Sequence, residues 1–500
     1  MAQTSNNFAG VETDPLQARY TYQQLKEQDS IRLLRLKPRD LDTSKELRAE
    51  LLEVQLGTDP EYEALSYAWG DAADVRILHT PSGSIEIRQN LADALQHLGL
   101  KDKERYIWAD ALCINQADDV ERSSQVAIMG DIYRQANRVI VWLGLGNERT
   151  AEVFNLFRTL SSKSDQYGVD LSSIQNGEDP WHQQPKNETQ SRLLDNIAVE
   201  YDFSGMDGFY TNTWFQRLWV VQEVALAREI QIHCGLEEIP WNQFVTTALI
   251  QFRSVRGSTL SNLRLPYGFE AAVTIITARS EFKKKQPIAL ISQMVSLWNS
   301  KCSMELDRIF AVLNLKGSLD PNIYPDYTKS VADVYISTSE ALIRSQPHIL
   351  SYAGVAPRLQ APRQRVDGDT EADDTSRIHK LCHDLPSWVA DWRIYRQHPS
   401  FAWNARCIYT AALAVQPQGE ITYPRRPSSH STSVSASSSI PRSPRPVFTV
   451  KALMIDVIHA AFPISTLNSS LTSQHTRLLT IKSHYDTVYP AQIKPNTPVV

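Results

Sequence analysis

The stretch WADALCINQADDVERSSQVAIMGDIYRQANRVIVWLG, Trp108 to Gly144, decides the fold class of this 500-residue chain. YIWADALCI reads as a strand that ends in polar residues, Asp110, Cys113 and Asn115. Asp118 followed by Glu121 has the spacing of a helix capping box. Val126, Met129, Ile132, Tyr133 and Ala136 then recur at helical spacing and define one inward face. RVIVWLG shows no alternation and is bounded by glycine, the pattern of a strand buried on both faces. Strand, helix and strand in this order predict a parallel α/β core. Ligands of such sheets bind beyond the carboxyl ends of the strands, which makes Asp110 and Cys113 candidate site residues.

Upstream, residues 1–60 read as a lead-in with strand candidates IRLLRL (Ile31 to Leu36) and EVQL (Glu53 to Leu56). YEALSYAW is a compact strand closed by the turn formers Gly70 and Asp71. Val75 to Leu78 and Ile85 to Arg88 flank HTPSGS as a hairpin. Asn90 is placed to cap a helix whose Leu91, Ala94, Leu95 and Leu98 form one apolar stripe. Downstream, 161–200 is a polar surface insertion. From Trp214, the residues Phe215, Leu218, Trp219, Ala225 and Leu226 can share one helix face, and EIQIHCG alternates as a strand. The first domain is thus expected over 61–240. A mainly helical region, 241–420, follows and includes DRIFAVLNL and VADVYISTSEALI. Residues 421–447 are a low-complexity linker, and 448–500 a C-terminal segment.

Lys plus Arg (51) nearly balance Asp plus Glu (56), so the formal charge of -5 creates no long-range preference for nucleic acid or acidic membranes. Basic residues form no run interleaved with aromatics, which argues against nucleic-acid binding. The sequence contains no apolar run of membrane-spanning length, and its first residues, MAQTSNNFAGVETD, lack the basic start and apolar middle of a secretory signal. A cytoplasmic protein without a membrane span is the expectation. Five cysteines without paired short spacing indicate neither a disulfide framework nor a zinc cluster. GLGNERT (Gly144 to Thr150) lacks the lysine of a phosphate-binding loop, and no dinucleotide-binding glycine signature follows a strand.

Three blocks, YEALSYAWGD (Tyr62 to Asp71), Trp108 to Gly144, and WFQRLWVVQEVAL (Trp214 to Leu226), occur in the order in which they resemble the heterokaryon incompatibility domain of filamentous fungi. The resemblance implies non-self recognition and regulated cell death, through self-association or a protein partner. It also implies a divergent TIR domain, a flavodoxin-like fold that in some members cleaves NAD, followed here by the helical region. NAD would then be a substrate, with no resident cofactor and no metal. On that comparison Glu223 falls where the enzymatic TIR domains keep a glutamate.

Each candidate has two readings. Glu223 can bind ribose hydroxyls and stabilise positive charge as nicotinamide departs, or it can sit in a buried ion pair with Arg217 or Arg228. Asp110 can bind a hydroxyl or cap the next helix. Cys113 can be a nucleophile or a buried structural thiol, and no histidine lies nearby in sequence to activate it. Trp69 offers a stacking face, Gly70 close backbone approach and Asp71 an acceptor, against a turn pinned by a buried indole. Arg217 can share the Glu223 site, and Glu121 and Arg122 either pair with Arg217 across its mouth or cap their own helix. Two functional classes therefore stand: a death-signalling scaffold acting by assembly, and an assembly-activated NAD glycohydrolase.

Overall fold

The computed structural model describes residues 18–38, 46–58, 60–166, 196, 200–201, 203–257, 268–284, 288–317, 320–346, 349, 385, 389–393, 419–422 and 447–450. Most of the polar insertion, nearly all of the low-complexity tract, Cys382 and Cys407 lie outside the described residues. Nine strands form the main sheet: β1 (Ser30–Leu36), β2 (Leu47–Gln55), β3 (Glu63–Tyr67), β4 (Val75–Thr80), β5 (Gly83–Arg88), β6 (Arg105–Trp108), β7 (Val139–Trp142), β8 (Ile230–Cys234) and β9 (Glu237–Pro240). Their order is β5-β4-β2-β1-β6-β3-β7-β8-β9. Neighbours within β6-β3-β7-β8 pair in parallel.

The sheet as a whole is mixed: the expected parallel core forms, with antiparallel pairs on either side of it. β1 runs antiparallel to both β2 and β6, β4 to β5, and β8 to β9. Short connections such as those between β4 and β5 and between β8 and β9 leave no room for a crossover, so they reverse the chain. The stretch read as a lead-in supplies β1 and β2, which lie inside the sheet beside the parallel core.

Helices cover the sheet: α1 (Gln89–Leu98), α2 (Asp110–Cys113), α3 (Asp119–Gln135), α4 (Thr150–Gln166), α5 (Asp207–Tyr210), α6 (Trp219–Leu226) and α7 (Trp241–Gly257). The apolar stripe of α1 packs with Leu65, Tyr67, Ile140 and Trp142 in one core cluster. All five residues predicted for the inner face of α3 are buried. β7 is buried throughout, as its unbroken apolar run requires. Farther along the chain come α8 (Phe269–Lys283), α9 (Leu290–Ser296), α10 (Asp307–Phe310) and α11 (Val331–Ile343), the helical region expected from the sequence.

Three local expectations need correction. YIWADALCI is not one strand: β6 stops at Trp108, and Asp110 opens the short helix α2 by accepting the Ala111 amide at 2.8 Å. Asn90 lies inside α1 rather than capping it; its amide donates to Ala68 O at 2.6 Å, and its oxygen accepts Trp142 Nε1 at 3.0 Å. The segment from Trp214 is not one continuous helix. It forms a 3-10 turn (Thr213–Gln216), extends at Arg217 and resumes as α6. The break arises because backbone bonds tie Leu218 N to Lys301 O and Lys301 N to Gln216 O, a tertiary pairing that local helical periodicity does not reveal.

The chain divides into two compact units, residues 1–416 with 423–447, and residues 417–422 with 448–500. β10 (Gly419–Thr422) and β11 (Val447–Val450) pair in a separate two-stranded sheet. No helix among the described residues is long and apolar enough to cross a membrane.

Candidate functional site

Ser66 is the polar residue within the apolar run of β3, and its register opposite Val141 puts it in the middle of the parallel core. A buried hydroxyl there needs partners. It accepts Trp214 Nε1–H at 2.8 Å and donates to Glu223 Oε2. The indole, the hydroxyl and the carboxyl thus form a relay buried between β3 and α6. Glu223 is only 3% exposed. Burial raises its carboxyl to about 7; Arg217 and the Ser66 hydroxyl oppose this, and the Asp110 charge adds to it.

Glu223 forms no ion pair with Arg217 or Arg228, so the ion-pair reading gives way to a hydroxyl contact with Arg217 acting at longer range. The extended backbone at Arg217 aims its guanidinium at the carboxyl end of β3, where Nη1 donates to Tyr67 O. Arg228 instead gives its carbonyl to Arg279 Nη2 at 3.3 Å.

At the same sheet end, Trp69 Nε1 donates to Asp110 Oδ2 at 2.9 Å, which joins two candidates that lie 41 residues apart. The Arg88 guanidinium sits 5.1 Å from the Trp69 ring centre and donates to Gly70 O at 2.8 Å. One face of the indole is therefore already covered by a cation. Gly70 has φ 77, a conformation that favours glycine and shapes the turn after β3. Asp71 is exposed and accepts the Ala73 amide at 3.0 Å, a local turn contact. The Tyr67 hydroxyl is fully buried, and burial together with the neighbouring Asp110 carboxylate raises it well above the ordinary tyrosine value.

Cys113 lies in the core behind this mouth. Its thiol accepts the Ala109 amide at 3.3 Å, and burial pushes it up to about 12. Burial disfavours the thiolate, which supports the reading of a structural thiol over that of a nucleophile. Glu121 does not reach Arg217. Arg32 of β1 grips it through both guanidinium nitrogens, at 2.5 and 2.9 Å, and the Asn115 amide donates to it at 2.7 Å. Asp118 alone caps α3, accepting from the Val120 and Glu121 amides, so half of the expected capping box forms. Arg122 pairs with Asp119 at 2.7 Å and lies over Tyr327.

A separate cavity of about 520 Å³ opens at the carboxyl ends of β7 and β8, with Leu143, Asn147, Thr150, Phe154, Phe209 and Asn212 in its wall. Neither Glu223 nor Trp69, Gly70, Asp71, Asp110 or Arg217 lines it. Among the described residues, no group of three or more His, Cys, Asp or Glu is arranged to hold a metal ion.

Residues 62–223 match the model of the heterokaryon incompatibility protein family. The chain carries a heterokaryon incompatibility (HET) domain. The match opens one residue before β3 and closes on Glu223 itself. Heterokaryon incompatibility protein 6, OR allele, of Neurospora crassa is 25% identical over 431 residues, covering 74% of this chain and 59% of the relative. The chain therefore spans about 59% of the length of the relative it matches. No solved structure matches the chain significantly.

Within the HET domain, sequence reasoning named Glu223, Arg217, Asp110 and Trp69 as candidates and did not name Ser66 and Arg88, which contact them, or Trp214, which reaches Glu223 through Ser66. The signal for Ser66 was present: a hydroxyl at an inward position of an apolar strand must find a partner across the core. Arg88 left no such signal, because its contact with Trp69 depends on where the β4–β5 hairpin folds.

Proposed function

We propose that this chain acts in non-self recognition leading to regulated cell death, in the cytoplasm, through assembly of its HET domain with a second copy or a protein partner. The observation that carries this reading is the family match over residues 62–223. A parallel strand core with candidate residues at its carboxyl ends supports a flavodoxin-like or TIR-like architecture. Expression of the chain in a fungal host should cause growth arrest or death that depends on an intact HET domain; survival with folded protein present would overturn the reading.

A second reading, an assembly-activated NAD glycohydrolase, is favoured by the state of Glu223. Its carboxyl is raised to about 7, so near neutrality it can exchange between accepting and donating a hydrogen bond. As an anion it would stabilise positive charge developing on a ribosyl centre, while Arg217 would hold a phosphate and Trp69, Gly70, Asp71 and Asp110 would border the nucleotide. In the present arrangement Glu223 is closed off, and the Trp69 N–H is committed to Asp110. Assembly would therefore have to open the α6–β3 seam. The buried Cys113 thiol takes its structural reading here rather than that of a nucleophile. NAD consumption is measured on the purified chain, dilute and under enforced clustering, with folded Glu223→Gln alongside. Loss of NAD that needs both clustering and Glu223 supports the glycohydrolase. Its absence in both states leaves the scaffold reading.

A further inference from the structure

α6 has only eight residues, too few to hold itself as a helix in water. Its N-cap position, Leu218, provides no side-chain cap. The contacts that secure both ends come from residues beyond the HET match. At the start, Trp219 Nε1 donates to Asp307 Oδ2 at 3.1 Å, and Tyr327 OH donates to Asp307 Oδ1 at 2.8 Å. Asp307 is itself buried, and burial raises its carboxyl against the opposing Tyr327 and Trp219 hydrogen bonds and the charges of Arg122 and, less, Arg217. In the middle, Asn314 Nδ2 donates to Gln222 Oε1 at 3.3 Å and to Val126 O of α3 at 3.3 Å. At the end, Arg279 of α8 donates to Val224 O, to Ala227 O at 2.9 Å and to Arg228 O at 3.3 Å. These carbonyls would otherwise be orphaned at the helix terminus, where a cation is also favoured by the helix dipole.

We propose that Asp307 and Arg279 are positioning residues for Glu223, and that the helices carrying them, α8 and α10, form a clamp through which assembly or a partner controls that carboxyl. The proposal rests on the reading of Glu223 as the reactive group for its functional meaning, whereas the clamp itself is tested without any assay of activity. If the clamp loosens, α6 moves away from β3, and Ser66, Trp214 and Glu223 lose their common contact. A HET domain cut at residue 223 or 240 would lack both anchors.

The test uses the full chain with Asp307→Asn and, separately, Trp219→Phe, which removes one donor and retains an aromatic ring. Amide hydrogen exchange over Val220–Leu226 should quicken about tenfold while β1 and β2 exchange as in the parent chain. The infrared carboxyl band lost in Glu223→Gln identifies the Glu223 titration. Glu223 is faced by Ser66, Arg217, Asp110 and Tyr133. Loosening α6 admits water to Glu223, and because burial is the largest cause of its raised value the midpoint in Asp307→Asn should fall by about one unit, a tenfold change in proton affinity that loss of the Ser66 hydroxyl opposes only in part. Unchanged exchange in α6, an equal rise in β1 and β2, or an unmoved midpoint overturns the proposal. If Asp307→Asn does not fold, Trp219→Phe decides by the exchange criterion alone. Failure of the glycohydrolase reading would appear separately, as NAD consumption indifferent to Glu223→Gln.

Discussion

Glu121 and Glu223 both pack against the same sheet, Glu121 partly buried and Glu223 fully so, and their surroundings differ. Glu121 receives a bidentate guanidinium from Arg32 and a backbone amide from Asn115. Arg32 is completed in turn by Gln23 O at 2.6 Å and Cys113 O at 3.2 Å, with the Tyr22 ring against it. This charge is fully matched and ties β1 to the start of α3. Glu223 has one hydroxyl and a more distant Arg217. The contrast teaches that burial alone does not mark a reactive carboxyl. What sets Glu223 apart is burial without a matching countercharge, the condition that raises a carboxyl toward neutrality.

The largest expected effect is at the matched site. Glu121→Ala strands the Arg32 guanidinium in the core and should cost about 3–5 kcal/mol in urea unfolding. A loss under about 1 kcal/mol would place the pair among solvated surface bridges and break the comparison.

Next comes the pH dependence at Glu223. Its folded value of about 7 lies above the ordinary glutamate value, so between those values the native state binds more protons than the unfolded state. The contribution of this group is fully present below that window and is lost as pH rises through about 7. Glu223→Gln abolishes the slope, so from pH 5 to pH 8 its stability relative to the parent should rise by roughly 2–3 kcal/mol. His233, lowered to about 4 by burial, contributes the opposite slope in both chains, so the difference between unfolding curves is the quantity to measure. A flat difference would show that burial does not raise the Glu223 carboxyl on folding.

Ser66→Ala sharpens the comparison at smaller scale. It leaves Trp214 Nε1–H and the Glu223 carboxyl without their shared partner, for a loss of about 1–2 kcal/mol by thermal unfolding. The same substitution should move the Glu223 titration upward, because the removed hydroxyl favoured the charged form. A downward movement would mean that the relay does not hold the carboxylate.

Much of the fold was legible in the sequence. The unbroken run Val139–Trp142, the alternation of Ile230–Cys234 and the inward stripes of α1 and α3 lie where their periodicities put them. These patterns are local, so a window of ten or so residues contains the whole signal. The breaks at Ala109 and Arg217 were not legible, since each depends on contacts that begin only when the chain has folded back. The Arg217 break is set by Lys301, and the N-terminal stretch enters the sheet because β1 finds β6.

By itself, the sequence determined the apolar strand β7, the alternating strand β8, the inward stripes of α1 and α3 and the parallel core they build, and it singled out Glu223, Arg217, Asp110 and Trp69 as candidates. Tertiary structure alone decided their partners. Ser66 meets Glu223 across 157 positions, Arg32 meets Glu121 across 89, and Asp307 meets Trp219 across 88. The physical reason is that a buried polar group must be satisfied, but which group satisfies it depends on strand order and helix placement, and neither is written in the neighbouring residues.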